Sequence, residues 1–169
     1  AMDKIDPGQR SEKMADAIKK AGEALAELNR VEPDSYAGHV LAARIAVKQG
    51  DLDRATTELR RATELSPSSA PAWYDLFSLR PLTPGEPPAK ETVEALRKVH
   101  ELEPDNLFVL KDWLPLQTQL KEPALAETLQ QARKTLDPFA EVIKTNIRID
   151  VRDMLDKLAK AVDDEKWPV

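Results

Sequence analysis

Thirty acidic side chains, two histidines and no cysteine bound the chemistry this chain could perform. Nucleophilic catalysis needs a serine or cysteine beside a base, and that base is usually histidine. His39 and His100 have no partner motif around them. The first reads as a side chain packed between helices, the second as a solvated one. Metal ligation fares no better, because the chain has no HExxH pattern, no EF-hand loop and no thiolate. Asp51 and Asp53, at i and i+2, read as a helix cap with a solvated neighbour rather than as calcium ligands. Asp163-Asp164-Glu165 reads as a solvated helix end. Gly85 stands alone among prolines, so no glycine-rich loop cradles a phosphate. Every carboxylate pair that could act as acid and base falls on a charged, outward face. The expectation is a non-enzyme with no catalytic, metal or cofactor-binding residues and no cofactor.

The bulk properties narrow the partners. Twenty-five basic against thirty acidic residues leave a net charge of −5, with 33% of residues charged and 41% apolar over 169 positions. That balance describes a soluble globular chain with enough residues for a real core. An acidic surface repels phosphate backbones, so nucleic acid is not an expected partner. Zero cysteines exclude a disulfide framework, a zinc ribbon and a haem attached through CxxCH, but leave the compartment open between cytoplasm and export. No run of about 18 apolar residues exists, so membrane insertion is not expected. The opening AMDKIDPGQ lacks the apolar core of a signal peptide. Residues 1–13 read as a tail whose Ala1-Met2 resembles a cloning scar, with the native N-terminus not shown.

The elements that would position any site are helical nearly throughout. Ala17, Ala21, Leu25 and Leu28 fall on one stripe of a 3.6-residue period, as do Ala55, Leu59, Ala62 and Leu65, and Met154, Leu155, Leu158 and Val162. No alternating β-branched pattern suggests a strand, so the expected class is all-α. Pro33, Pro67, Pro104 and Pro138 recur at spacings of 34, 37 and 34 residues. Each follows an apolar helix, where proline stops one helix and a nearby Asp, Ser or Asn caps the next. The three extra residues of the middle unit belong to a proline-rich loop, 81–88.

The unit Tyr36–Ser69, YAGHVLAARIAVKQGDLDRATTELRRATELSPSS, closely resembles the tetratricopeptide repeat. Ala42, Ala43 and Ala46 occupy the small first-helix positions, KQGDLD (48–53) matches the turn between helices, and Ala55, Leu59, Ala62 and Pro67 match the second helix and its stop. Gly50 supplies the positive φ of a C-cap, Asp51 caps the next helix, and the alanines let two helices approach closely. The resemblance covers residues 14–138, clearest over 36–69 and more degenerate over 70–104 and 105–138. In the last unit Glu122-Pro123 stands where Gly-Asp is usual, and Pro115 is expected to kink or end the first helix. The resemblance implies a right-handed α-solenoid of antiparallel helix pairs. Residues 139–169 are expected to form a C-terminal helical cap in which Asp150 starts VRDMLDKLAKAV. The ending DDEKWPV resembles a turn whose second helix is missing, so a terminal capping helix and a chain continuing past Val169 are expected equally.

The resemblance also implies a concave groove lined by first-helix side chains. Carried over position by position, it takes Ala37, Val40, Leu41, Arg44 and Lys48 from the clearest unit, then Pro71, Tyr74, Asp75 and Ser78. The third unit contributes Phe108, Lys111, Asp112, Pro115 and Gln119. Tyr74 and Phe108 are equally compatible with packing between repeats, while Trp73 and Trp113 read as core. The carboxylate clamp that some relatives use on heat-shock-protein tails is absent, because Asp75 stands where the clamp needs asparagine. The implied function is a non-enzymatic protein-interaction scaffold that binds a peptide or helix, with Arg44, Lys48 and Lys111 favouring an acidic partner and monomer favoured over oligomer. Two alternatives stay open. One is a structural or docking module of a larger multidomain protein; the other is self-assembly through the terminal helix around Met154, Leu155 and Leu158.

Overall fold

A computed structural model describes residues 7–80 and 86–136, together with Lys157, Lys160 and Asp164. Seven helices, and no strand, occur among these residues: α1 (Pro7–Val31), α2 (Tyr36–Gln49), α3 (Leu52–Leu65), α4 (Ala70–Ser78), α5 (Lys90–Leu102), α6 (Leu107–Leu120) and α7 (Leu125–Leu136). Two compact units divide the chain at residue 81, the first holding α1 to α4 and the second α5 to α7.

The turns follow from the residues placed in them. Ser35 accepts a hydrogen bond from the Gly38 N–H at the start of α2, Ser69 accepts from Ala72 at the start of α4, and Asn106 accepts from Phe108 at the start of α6. Each stands two residues after one of the recurring prolines. These caps satisfy first-turn donors that the helix itself leaves unpaired. Between α2 and α3 the reversal is made by two adjacent residues. Gly50 takes φ 79°, and its N–H reaches the carbonyls of Ala46 and Val47. Asp51 then accepts from the Arg54 N–H.

In the first unit the core is built from small side chains. Ala42, Ala43, Ala46, Ala55, Ala62, Ala70 and Ala72 are buried, with Ile45, Leu59, Leu76 and Phe77 the large residues among them. Gly38 plays the same part toward α1, because a Cβ there would stand 3.0 Å from Asn29 Oδ1 and 3.1 Å from Ser35 Oγ. Four charged or ionisable groups fasten the outside of this packing. Arg61 on α3 binds Asp34 in the α1–α2 turn, and His39 on α2 bonds Asp34 (2.9 Å) and Glu58 on α3 (2.7 Å). The second unit uses bulkier residues. α6 buries Val109, Leu110, Trp113, Leu114, Leu116 and Gln117 between Leu96 and Val99 of α5 and Leu129 and Ala132 of α7.

Several expectations need correction. Residues 7–13, expected as tail, are helical, with Pro7 as the first residue of α1. Proline is tolerated there because its missing N–H would have no intrahelical partner. The inward stripe of α1 runs through Ile18, Ala21, Leu25 and Leu28, and Ala17 is exposed. Leu65 is also exposed, since α3 turns its inner face through Ala55, Leu59 and Ala62. Pro115 does not end α6, which continues to Leu120. The surrounding apolar contacts outweigh one lost backbone bond. Residues 81–85 of the proline-rich loop and most of the expected cap, including Asp150, lie outside the described residues. Of that region, Lys157 and Lys160 are helical and Asp164 is in a turn bonded to the Lys160 carbonyl.

The end of α6 repeats the geometry of Gly50 with a less suitable residue. Lys121 takes φ 53°, with its N–H on the carbonyls of Gln117 and Thr118. It is the one non-glycine residue with positive φ among those described. Gly50 has open space where a Cβ would stand, so a substitution there tests the torsion alone. Gly50→Ala is expected to cost about 1–2 kcal/mol. Lys121→Gly is expected to gain about 0.5–1 kcal/mol, the relief of strain exceeding the entropy that glycine loses on folding. Denaturant unfolding of the two variants should therefore show midpoints moving in opposite directions.

Candidate functional site

The turn at Gly50 and Asp51 sets α3 beside α2, and the α3–α4 turn brings α4 next to α3, so that side chains of all three converge. Val40, Arg44 and Lys48, four residues apart, share one row of α2. A pocket of about 280 Å³ opens among Arg44, Lys48, Val47 and Ala43 of α2, Leu59 of α3, and Asp75, Ser78 and Leu79 at the end of α4. Its floor is apolar, from Ala43, Val47, Leu59 and Leu79, and its rim carries two cations and one carboxylate.

Arg44 reaches Asp75 at 3.4 Å, with the two side chains 66% and 37% exposed. At that distance and exposure the pair contributes well under 1 kcal/mol, so a competing carboxylate displaces it cheaply. Ser78 lines the pocket and donates its hydroxyl hydrogen to the Tyr74 carbonyl (2.8 Å). Four of the expected groove residues of this unit, Arg44, Lys48, Asp75 and Ser78, thus meet at one place. Val40 and Tyr74 are half-buried and do not line the pocket; Tyr74 packs its ring against Phe77 at 5.7 Å. Sequence reasoning missed Val47 and Leu79. The signal for Val47 was present, since an apolar residue on an exposed helix face between two cations has no packing reason to be there, and it is 40% exposed.

The second unit carries the remaining expected residues. Phe108 is 59% exposed in the first turn of α6 and does not pack into the core of its unit. Lys111 and Asp112, adjacent in sequence, bond to each other through Nζ and Oδ1. Trp113 is buried as expected, whereas Trp73 is only half-buried and donates its indole N–H to the Pro67 carbonyl at 2.9 Å. The apolar residues Met154, Leu155 and Leu158, on which self-assembly would rest, lie outside the described residues.

Small-residue helix pairing, a glycine–aspartate reversal and a proline after each second helix occur together in one known repeat, and residues 10–78 match the family model of the tetratricopeptide repeat. Residues 10–78 are a tetratricopeptide-repeat segment. A solved structure described as that of MamA is similar in fold at a TM-score of 0.54, with 17% identity, covering 95% of this chain and 95% of that one. At that identity the likeness shows the all-α helical-repeat fold alone. No curated protein matches the sequence.

The two histidines of the chain occupy opposite kinds of environment. Burial works against the charged form of His39, but hydrogen bonds to Glu58 and Asp34, together with their charges, outweigh it and raise the pKa above its ordinary value. The carboxylates lie on opposite ring nitrogens, so they steady the imidazolium and do not converge on a common point. Among the described residues no three His, Asp or Glu side chains converge to hold a metal ion. His100, expected in solvent, is instead stacked on Trp113 with ring centroids 5.5 Å apart. Burial pushes its pKa down, with Glu101 and Asp105 opposing weakly.

The signs of these shifts give opposed pH dependences. His39, raised on folding, contributes stability that is complete below the unfolded pKa of about 6.5 and is lost as pH rises through the folded value. His100, lowered on folding, contributes stability that is complete above about 6.5 and is lost as pH falls through its folded value. The melting temperature of His39→Gln should therefore fall on acidification from pH 8 to pH 5 relative to that of wild type. For His100→Phe it should rise relative to wild type over the same range. Thermal melts across that window, with both variants and wild type side by side, check the two slopes.

Proposed function

We propose that this chain is a non-enzymatic protein-interaction module whose first-helix face takes an acidic peptide or helix, with an apolar partner side chain seated in the pocket between α2, α3 and α4. The observation that carries this reading is the combination in that pocket of an apolar floor with exposed Arg44 and Lys48 at the rim. Burying one large apolar side chain there supplies roughly 1.5–3 kcal/mol, and the cations add selectivity for a carboxylate next to it in the peptide. Phe108 and Lys111 of the second unit offer the same two chemistries, an exposed aromatic and a cation. Tetratricopeptide repeats are generally interaction modules, which agrees with this reading.

Selection from a random peptide library on the full chain tests the proposal. Selected sequences are expected to place an Asp or Glu within a few positions of a Leu, Ile, Met or Phe. Their binding should weaken at least tenfold, about 1.4 kcal/mol, in Arg44→Glu with Lys48→Glu. It should also weaken as salt rises from low to physiological ionic strength. Arg44→Glu with Lys111→Glu asks whether the second unit contributes as well. Peptides that bind these variants as tightly as wild type would show that the first-helix face is not the binding surface.

A further inference from the structure

Three buried polar atoms in the second unit have no hydrogen-bond partner: His100 Nδ1, Trp113 Nε1 and Gln117 Oε1. All three residues line one pocket of about 490 Å³, which lies between α5 and α7 over α6. Gln117 and Trp113 are 1% and 2% exposed, and His100 is half-buried. A buried donor or acceptor left unmade destabilises the fold, and native structures hold few of them. Three in one place, on side chains that neighbouring leucines could replace, are not explained by packing.

Position on the helix separates this pocket from the first-helix face. At about 100° per residue, Trp113 and Gln117 stand roughly 150° or more around α6 from the mean direction of Phe108, Lys111 and Asp112. The pocket therefore opens on the opposite side of that helix and does not belong to the surface proposed above. Arg97 of α5 covers it, with its guanidinium 5.7 Å from the centre of the Trp113 ring and held by Glu122 in the α6–α7 turn. The Arg97 side chain is 48% exposed but that of Glu122 only 18%, so opening the pocket at this point costs the ion pair of a mostly buried carboxylate.

The unmet atoms define the complement. The indole N–H of Trp113 only donates, and Gln117 Oε1 only accepts. Neutral His100 protonated at Nε2 accepts through Nδ1, and burial favours that neutral form. A group that fits has one acceptor and two donors. We propose that this pocket is a second recognition site, on the face of α6 opposite the first-helix surface, for a primary carboxamide: the side chain of Asn or Gln in a peptide, or a free small amide. The amide oxygen accepts from Trp113 Nε1, and its two N–H groups donate to Gln117 Oε1 and His100 Nδ1.

The test follows the indole N–H resonances of the ¹⁵N-labelled full chain, with that of Trp113 identified by Trp113→Phe. The probes are propanamide, its non-donating analogue butanone, and the tripeptide acetyl-Ala-Gln-Ala with its Met analogue. Propanamide is expected to move the Trp113 indole signal and leave that of Trp73, which already donates to Pro67, unchanged. Butanone should bind at least tenfold more weakly than propanamide. A Gln peptide that binds more tightly than propanamide identifies the source as a protein segment; propanamide binding without the peptide identifies a free amide. Gln117→Met should lose about tenfold in propanamide affinity while unfolding at the same or higher denaturant concentration, because it removes an unmet acceptor. His100→Phe keeps the stacking and should behave likewise. The proposal is overturned if neither amide moves the Trp113 resonance at concentrations approaching about 0.1 M. It is also overturned if Gln117→Met unfolds markedly earlier than wild type, since that would mean Gln117 is internally satisfied.

Discussion

Two helices approach closely only where neither presents a bulky side chain. α2 and α3 meet through Ala42, Ala43 and Ala46 against Ala55 and Ala62. That close pairing needs a chain reversal of fixed length, and Gly50 with Asp51 supplies it in two residues, one ending a helix in the left-handed region and the other capping the next. The same smallness that allows the pairing decides where space is left. Ala43 and Leu59 cannot fill the gap toward α4, and the pocket opens there with Arg44 and Lys48 above it. Packing and pocket in the first unit are thus consequences of one choice of residue size.

The second unit solves the same problem less economically. Its core relies on Trp113 and a series of leucines around α6, and its second turn is made by a lysine in the left-handed region instead of a glycine. Larger side chains fill more volume but mesh less regularly. Polar atoms on His100, Trp113 and Gln117 end up enclosed without partners. The unit retains the helix order because apolar burial on both sides of α6 outweighs a proline in its interior, a strained C-cap and these unmet groups together.

What could be read from the sequence divides along the same line. Residues with a local, one-step consequence were legible. The serines and asparagine after the recurring prolines cap helices, Gly50 takes positive φ, and the small residues of 36–69 are buried. Of the groove positions implied by the family resemblance, Arg44, Lys48, Asp75 and Ser78 do converge. Errors arose where the outcome depended on tertiary surroundings. Proline propensity alone marked Pro115 as a kink or a helix end, yet packing carries α6 past it to Leu120. The position of His100 near a helix end suggested solvent, and only the stacking partner Trp113, distant by 13 residues, brings it inside. Phe108 gave no local sign of whether it would pack or project. The pocket over α6 was not visible at all, since it is defined by the absence of partners around side chains that each look like ordinary core.

Positions that the packing pattern dictates cannot carry information about a partner, because every chain with this fold uses similar residues there. Whatever distinguishes this chain must lie where a residue departs from what packing asks. In the first unit those departures are Val47, an exposed valine between cations, and Asp75, an acid beside them. In the second they are Phe108, an aromatic in solvent, and Gln117, an amide in the core. The first three lie on one kind of surface and share one chemistry, apolar contact bordered by charge. Gln117 lies on the far side of α6 and belongs to an uncharged donor–acceptor set. One helix therefore presents two different chemistries on two faces, with its apolar residues held between α5 and α7 separating them. A ligand on either face meets a helix whose backbone is already fixed by that packing, so neither face has to be ordered at the moment of binding.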